Sequence, residues 1–115
     1  MPTQENNDDR IALLQGTLDL LILKTLILGP RHGQGVARSI QRQSEEVLFV
    51  DHGSLYPALR RLESSGLIKA KWDVSPTNRK ARYYELTPAG KKQIEVERER
   101  WRASAHAISR VMRTA

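Results

Sequence analysis

At 115 residues the chain is long enough for one domain with a modest core and too short for two. It contains no cysteine, which excludes a disulfide framework, a thiolate metal site and a thiol nucleophile, and fits a cytoplasmic protein. The net charge of +6 is uneven: residues 1–30 hold two basic side chains against four acidic, residues 31–88 ten against six, and residues 89–115 seven against three. Such a surplus either attracts polyanions or simply solvates the chain, and charge by itself does not choose.

Residues 1–10 are polar and acidic with no apolar stretch, so they read as a disordered tail rather than a signal peptide. A helix is predicted from Ile11 to Leu28, ended by Gly29-Pro30. Its richest part, Leu18–Leu28, has eight apolar residues of eleven but is interrupted by Asp19 and Lys24, too short and too charged to span a bilayer. The apolar positions run around most of the helix, including Leu14, Leu18 and Leu21. A surface helix shows one stripe, so this one needs cover on more than one side, and a second subunit is the economical source.

A second helix is expected over Gly33–Ser44, with Val36, Ala37 and Ile40 inward and Arg38, Gln41 and Arg42 outward. Val47–Val50 is an apolar run, read as a short strand or a buried connector. A third helix follows from His52 to Ser65, with Asp51 as N-cap and Gly66 just past its end. Leu55, Leu59 and Leu62 form its core stripe, leaving Ser54, Tyr56, Pro57, Arg60, Arg61 and Ser64 off it.

Ile68, Ala70, Trp72 and Val74 alternate with Lys69, Lys71 and Asp73, the period of a half-buried strand. Ser75–Asn78 is rich in turn-formers, and a return strand runs over Ala81–Leu86, making a hairpin with Asn78, Arg79 and Lys80 near its tip. Thr87 caps and Pro88 opens a last helix that reaches about Met112. In it Ile94, Trp101 and Ile108 recur every seven residues, with Ala105 and Met112 beside them. Glu97 and Arg98 break that seam, so it reads as a short helical interface with a partner chain.

Three helices, a two-stranded hairpin and a final helix make a fold that is mainly α with a small β-hairpin. It corresponds to a winged helix-turn-helix over residues 11–87 and a C-terminal dimerisation helix over 88–115. On double-stranded DNA the third helix fits the major groove and presents Ser54, Tyr56, Pro57, Arg60 and Arg61 to base edges. The tip residues Asn78, Arg79 and Lys80 then meet phosphates or a minor groove, and Arg38 and Arg42 fix register on the backbone. Each feature also has a plainer meaning: a solvated helix face for Arg60 and Arg61, packing for Tyr56, a soluble turn for the tip. Basic residues at both projecting parts favour DNA over a protein-docking winged helix. RNA is disfavoured because aromatic platforms for unstacked bases are missing.

No catalytic, cofactor or metal site is expected. His32 (in a turn), His52 and His106 lack ligand spacing, and neither a Gly-rich phosphate loop nor a Gly-x-Ser-x-Gly elbow is present.

Three stretches carry a resemblance to the PadR-like transcriptional regulators, in particular to the short subgroup with a single C-terminal helix. They are Gly16-Thr17-Leu18-Asp19-Leu20-Leu21-Ile22-Leu23, then Gly53 to Glu63 continuing through Gly66-Leu67-Ile68, and Tyr83-Tyr84-Glu85-Leu86-Thr87-Pro88-Ala89-Gly90. The likeness covers about residues 13–112. It implies a homodimer joined by the first and last helices, repressing genes through inverted-repeat operators, with DNA contacts from Ser54, Tyr56, Pro57, Arg60, Arg61, Arg79, Lys80 and Arg82. The family pattern has Gly-Tyr at the start of the second helix where this chain has Gly33-Gln34, which leaves the Gln34 amide as a phosphate donor. Some members stack small planar ligands on a tryptophan of the last helix. Trp101 stands in a compatible place, and its other reading is an interface knob.

Overall fold

The chain is helical over 16–26 (α1) in a computed structural model that describes residues 16–114. The tail expected at 1–10, and Leu14, lie outside the described residues. There follow β1 (Arg31–His32), α2 (Gly33–Gln43), α3 (His52–Ser64), β2 (Ile68–Val74), β3 (Lys80–Leu86) and α4 (Pro88–Arg113). The second, third and last helices and the hairpin fall where sequence places them, within a residue or two. The first helix ends two residues before Leu28, its expected start at Ile11 lying outside the described residues.

Local chemistry sets the boundaries. The Asp51 carboxylate accepts from the Ser54 amide at 2.7 Å, satisfying one orphan donor at the start of α3. Thr87 does the same for α4 through Gly90 at 3.0 Å, with Pro88 in the first turn. Its hydroxyl also reaches the carbonyls of Gly66 at 2.7 Å and Leu67 at 3.0 Å, fastening the start of α4 to the turn after α3.

The cap of α2 departs from expectation. His32 does not lie in a turn: it ends β1 and caps α2, its Nδ1 accepting from the Gly35 amide at 3.0 Å. The hairpin is part of a three-stranded antiparallel sheet in the order β1-β3-β2. β1 pairs Arg31 with Tyr84 and His32 with Tyr83. Two residues are too few to show a period in sequence, so this strand is found only through its partner.

The core is one cluster: Leu18, Ile22, Leu23 and Leu26 of α1, Val36 and Ile40 of α2, Leu55, Ala58, Leu59 and Leu62 of α3, with Ile68, Tyr84 and Ile94. Leu18 and Ile94, expected at an intersubunit face, are thus buried in the protomer's own core. Leu21 is only partly buried. The Val47–Val50 run is neither a strand nor a buried connector. Val47, Leu48 and Phe49 are exposed and Val50 alone packs on the core, because left-handed backbone at Glu45 and Glu46 turns the chain outward before them. Burial along β2 also fails to alternate: Ile68 is buried and Ala70 half-buried, whereas Trp72 and Val74 are exposed. The hairpin simply outruns the helices that cover its base.

α4 has 26 residues and is about 39 Å long, yet only Gly90 and Ile94 of it are buried. Beyond them Trp101, Ile108 and Met112 are exposed and Ala105 is half-buried.

Candidate nucleic-acid interface

α3 has one side in the core and one side free, and the free side is divided in two. Ser54, Pro57 and Arg61 turn toward α1, where with Leu18, Leu21 and Phe49 they line a groove of about 300 Å³. Pro57 lies inside the helix and has no amide to give to the Gly53 carbonyl one turn back. Tyr56 lies on the other flank. Its ring rests on the start of α2, so close that a Cβ at Gly33 would stand 2.9 Å from its Cε1, and its edge meets His52 with centroids 5.7 Å apart. Tyr56 is still 36% exposed, so it both spaces α2 from α3 and shows its rim to solvent.

The cations sort by partner. Arg61 Nη2 donates to Asp19 Oδ1 of α1 at 3.0 Å, and Arg82 Nη2 donates to Glu63 Oε2 of α3 at 2.8 Å. Two residues expected to touch DNA are thus ion-paired in the single chain, one between α3 and α1 and one between the wing and α3. Arg60, Arg38, Arg42, Arg79 and Lys80 are exposed and take part in no ion pair among the described residues. Gln34 is exposed on the first turn of α2. The wing turn closes through Asn78, whose left-handed backbone lets its amide donate to the Ser75 carbonyl at 2.8 Å. These five occupy the outer flank of α3, the outside of α2 and the wing tip. Lys24 of α1, Lys71 of β2 and Lys91, Lys92, Arg110 and Arg113 of α4 are likewise exposed and outside any ion pair among the described residues.

Asp19 is the residue that sequence reading passed over. It registers there as an interruption in an apolar helix and within the Gly16–Leu23 stretch, with no role of its own. Burial pushes its carboxyl above the usual range, against the pull of Arg61, with Glu97 of α4 adding to the rise. An acid whose folded pKa is raised contributes most below its unfolded value, and that contribution is lost as pH climbs through the folded one. Ionised Asp19 is therefore a local cost at neutral pH, tolerated where it anchors Arg61. Asp19→Asn, which keeps an acceptor for Arg61, is expected to be at least as stable as the parent at pH 7. The two proteins should converge near about pH 3, where both side chains are neutral. Urea midpoints at the two pH values check this; a variant clearly weaker at pH 7 would mean the ion pair outweighs desolvation.

Among the described residues no helix is long and apolar enough to cross a membrane, and no group of three or more His, Asp or Glu side chains could hold a metal ion.

Residues 22–96 match the profile of the transcriptional regulator PadR-like family. A transcriptional regulator from Clostridium thermocellum is similar at 29% identity and TM-score 0.76, the match covering 86% of this chain and 96% of that one. A PadR family transcriptional regulator from Eggerthella lenta is similar at 25% identity and TM-score 0.72, over 100% and 99%. A PadR family transcription regulator from Clostridium difficile shows 30% identity and TM-score 0.65, over 82% and 96%.

Proposed function

Because this chain belongs to the PadR-like family of transcriptional regulators, and so is a regulator rather than an enzyme, we propose that it is a cytoplasmic homodimeric repressor of an inverted-repeat operator. The observation that carries the DNA contact is the placement of unpaired cations. Arg60 on α3 and Arg79 and Lys80 on the wing stand on the two projecting parts, while neighbouring arginines are held by carboxylates. In this reading Arg60, with the rim of Tyr56, addresses base edges, and the wing tip with Asn78, Arg38, Arg42 and Gln34 addresses phosphates. Ser54 and Pro57 follow the groove side of α3, and Arg61 and Arg82 orient the helix and wing.

The dimer rests on the outer length of α4, where Trp101, Ile108 and Met112 are left in solvent. Leu21 at the partly covered edge of α1 joins them. Trp101 does not line the groove between α1 and α3, and in this reading a cavity that stacks a planar ligand on it is formed with the second copy.

The test is selection of bound duplexes from a random pool at near-physiological salt. An inverted repeat with half-sites about one helical turn apart is expected. Recovery of no motif, with only weak salt-sensitive binding, would turn the reading toward a protein partner. On the selected site, Arg60→Ala is expected to weaken binding by about 1–3 kcal/mol and to affect random duplex less. Lys80→Ala should weaken both to a similar degree and reduce the salt slope by about one unit. Equal losses on both DNAs for both variants would remove the division between helix and wing.

A further inference from the structure

The wing carries an aromatic residue that neither the core nor the reading above uses. In the β2–β3 register Ile68 faces Leu86, Ala70 faces Tyr84, Trp72 faces Arg82 and Val74 faces Lys80, so these eight side chains share one face of the hairpin. The base of that face is core, with Ile68 and Tyr84 buried. Farther out the same face leaves Trp72 66% exposed and Val74 56% exposed. One exposed apolar residue needs no explanation. The surroundings of this one do point to a partner. Across the strand lies Arg82, tied to Glu63 of α3. Next along the face comes Lys80, and Arg79 follows at the tip. Asp73, the acid of this strand, alternates onto the opposite face.

An exposed indole that shares a hairpin face with Lys80 and Arg82, next to the cationic tip, suits a polyanion that also offers apolar surface. Duplex DNA does, through its deoxyribose walls and base edges. A second copy of the same face does not, because a two-fold contact would bring two cationic patches together.

We propose that Trp72 is a DNA-contacting residue of the wing, its ring packed on the sugar wall of the groove that Arg79 and Lys80 enter. This rests on the DNA-binding reading above. The indole supplies water-excluding contact and the neighbouring cations supply charge, so the two contributions respond differently to salt.

The chain has two tryptophans, Trp72 and Trp101. Trp101→Phe leaves Trp72 as the sole indole reporter. It is used once sedimentation velocity and anisotropy show that it keeps the parent's oligomeric state and duplex affinity, since Trp101 belongs to the proposed dimer face. A dye-labelled random-sequence duplex at low salt serves as probe, with anisotropy reporting binding independently of the indole. Trp72 emission is expected to change on binding, its quenching by acrylamide to fall, and both effects to reverse with added salt in step with anisotropy. In the parent chain Trp72→Ala should weaken duplex binding roughly tenfold with an unchanged salt slope, and Trp72→Phe should restore most of the loss. Far-UV circular dichroism confirms that each variant is folded. Bound duplex with Trp72 emission and quenching unaltered overturns the proposal, as does full affinity in Trp72→Ala. Protection of Trp72 that grows with protein concentration and without DNA overturns it in favour of self-association. Failure of the parent to bind any duplex overturns the DNA-binding reading itself.

Discussion

Aspartate at Trp101 or at Ile108 is expected to leave this protein monomeric at micromolar concentration. Both residues lie on the part of α4 that nothing in the protomer covers, half-exposed at 50% and 49%. The three i,i+3 arginine–glutamate pairs along this stretch are exposed except for the mostly covered Glu97 side chain, and such helix pairs add only a few tenths of a kcal/mol each. They keep the helix formed without giving its apolar side a home. If a second copy covers that side, each substitution buries a carboxylate with no partner, and a two-fold interface repeats it in both subunits. The expected penalty is several kcal/mol, enough to raise the dimer dissociation constant by more than about a hundredfold. Sedimentation velocity reads this directly, and the monomer should remain folded because its core ends at Ile94. An unchanged dimer in both variants would move the interface elsewhere.

Gly90→Ala tests the junction between the winged domain and α4, where two effects have opposite signs. Inside a helix alanine is favoured over glycine by about 1 kcal/mol, so propensity predicts a gain. The packing predicts the reverse. A Cβ at Gly90 would collide with the Leu67 carbonyl oxygen and lie 2.7 Å from Leu86 Cδ1. The carbonyl cannot retreat freely, because it also accepts the Thr87 amide at 3.1 Å and the Thr87 hydroxyl at 3.0 Å. Relief would have to come from moving α4 off the turn, breaking the cap that starts it. A net loss of roughly 3 kcal/mol or more follows, or a fall in Tm on the order of 10–20 °C for a domain of this size. Equal or higher stability of the variant by thermal and urea unfolding would show that the turn yields cheaply.

How far the sequence could be read depended on how local the cause was. Asp51 and Thr87 cap helices through contacts three residues away, so both boundaries were legible. That Arg61 is ion-paired was not. A helical wheel puts it off the core stripe, which is true of a DNA contact and of a strut alike, and its partner Asp19 is 42 residues distant. Arg82 and Glu63, 19 apart, pose the same difficulty. β1 escaped notice because its strand character comes wholly from pairing with Tyr83 and Tyr84. Val47–Phe49 misled because hydrophobicity predicts burial only where the backbone turns inward, and Glu45 and Glu46 turn it away. Arg38, Arg60 and the wing tip were placed on solvent-facing positions by periodicity and turn chemistry alone, and they are exposed.

The short strand β1 has one more effect, on what the protein avoids. By pairing with β3 it makes β3 an inner strand and leaves β2 as the long open edge of the sheet. An open edge of seven residues is a template for pairing with the next molecule. Here that edge carries Lys69, Lys71 and Asp73 in alternation, all exposed, so another sheet approaching in register meets charge at every second position. Those charges disfavour edge-to-edge pairing in a chain that already leaves the outer part of α4 and Trp72 in solvent.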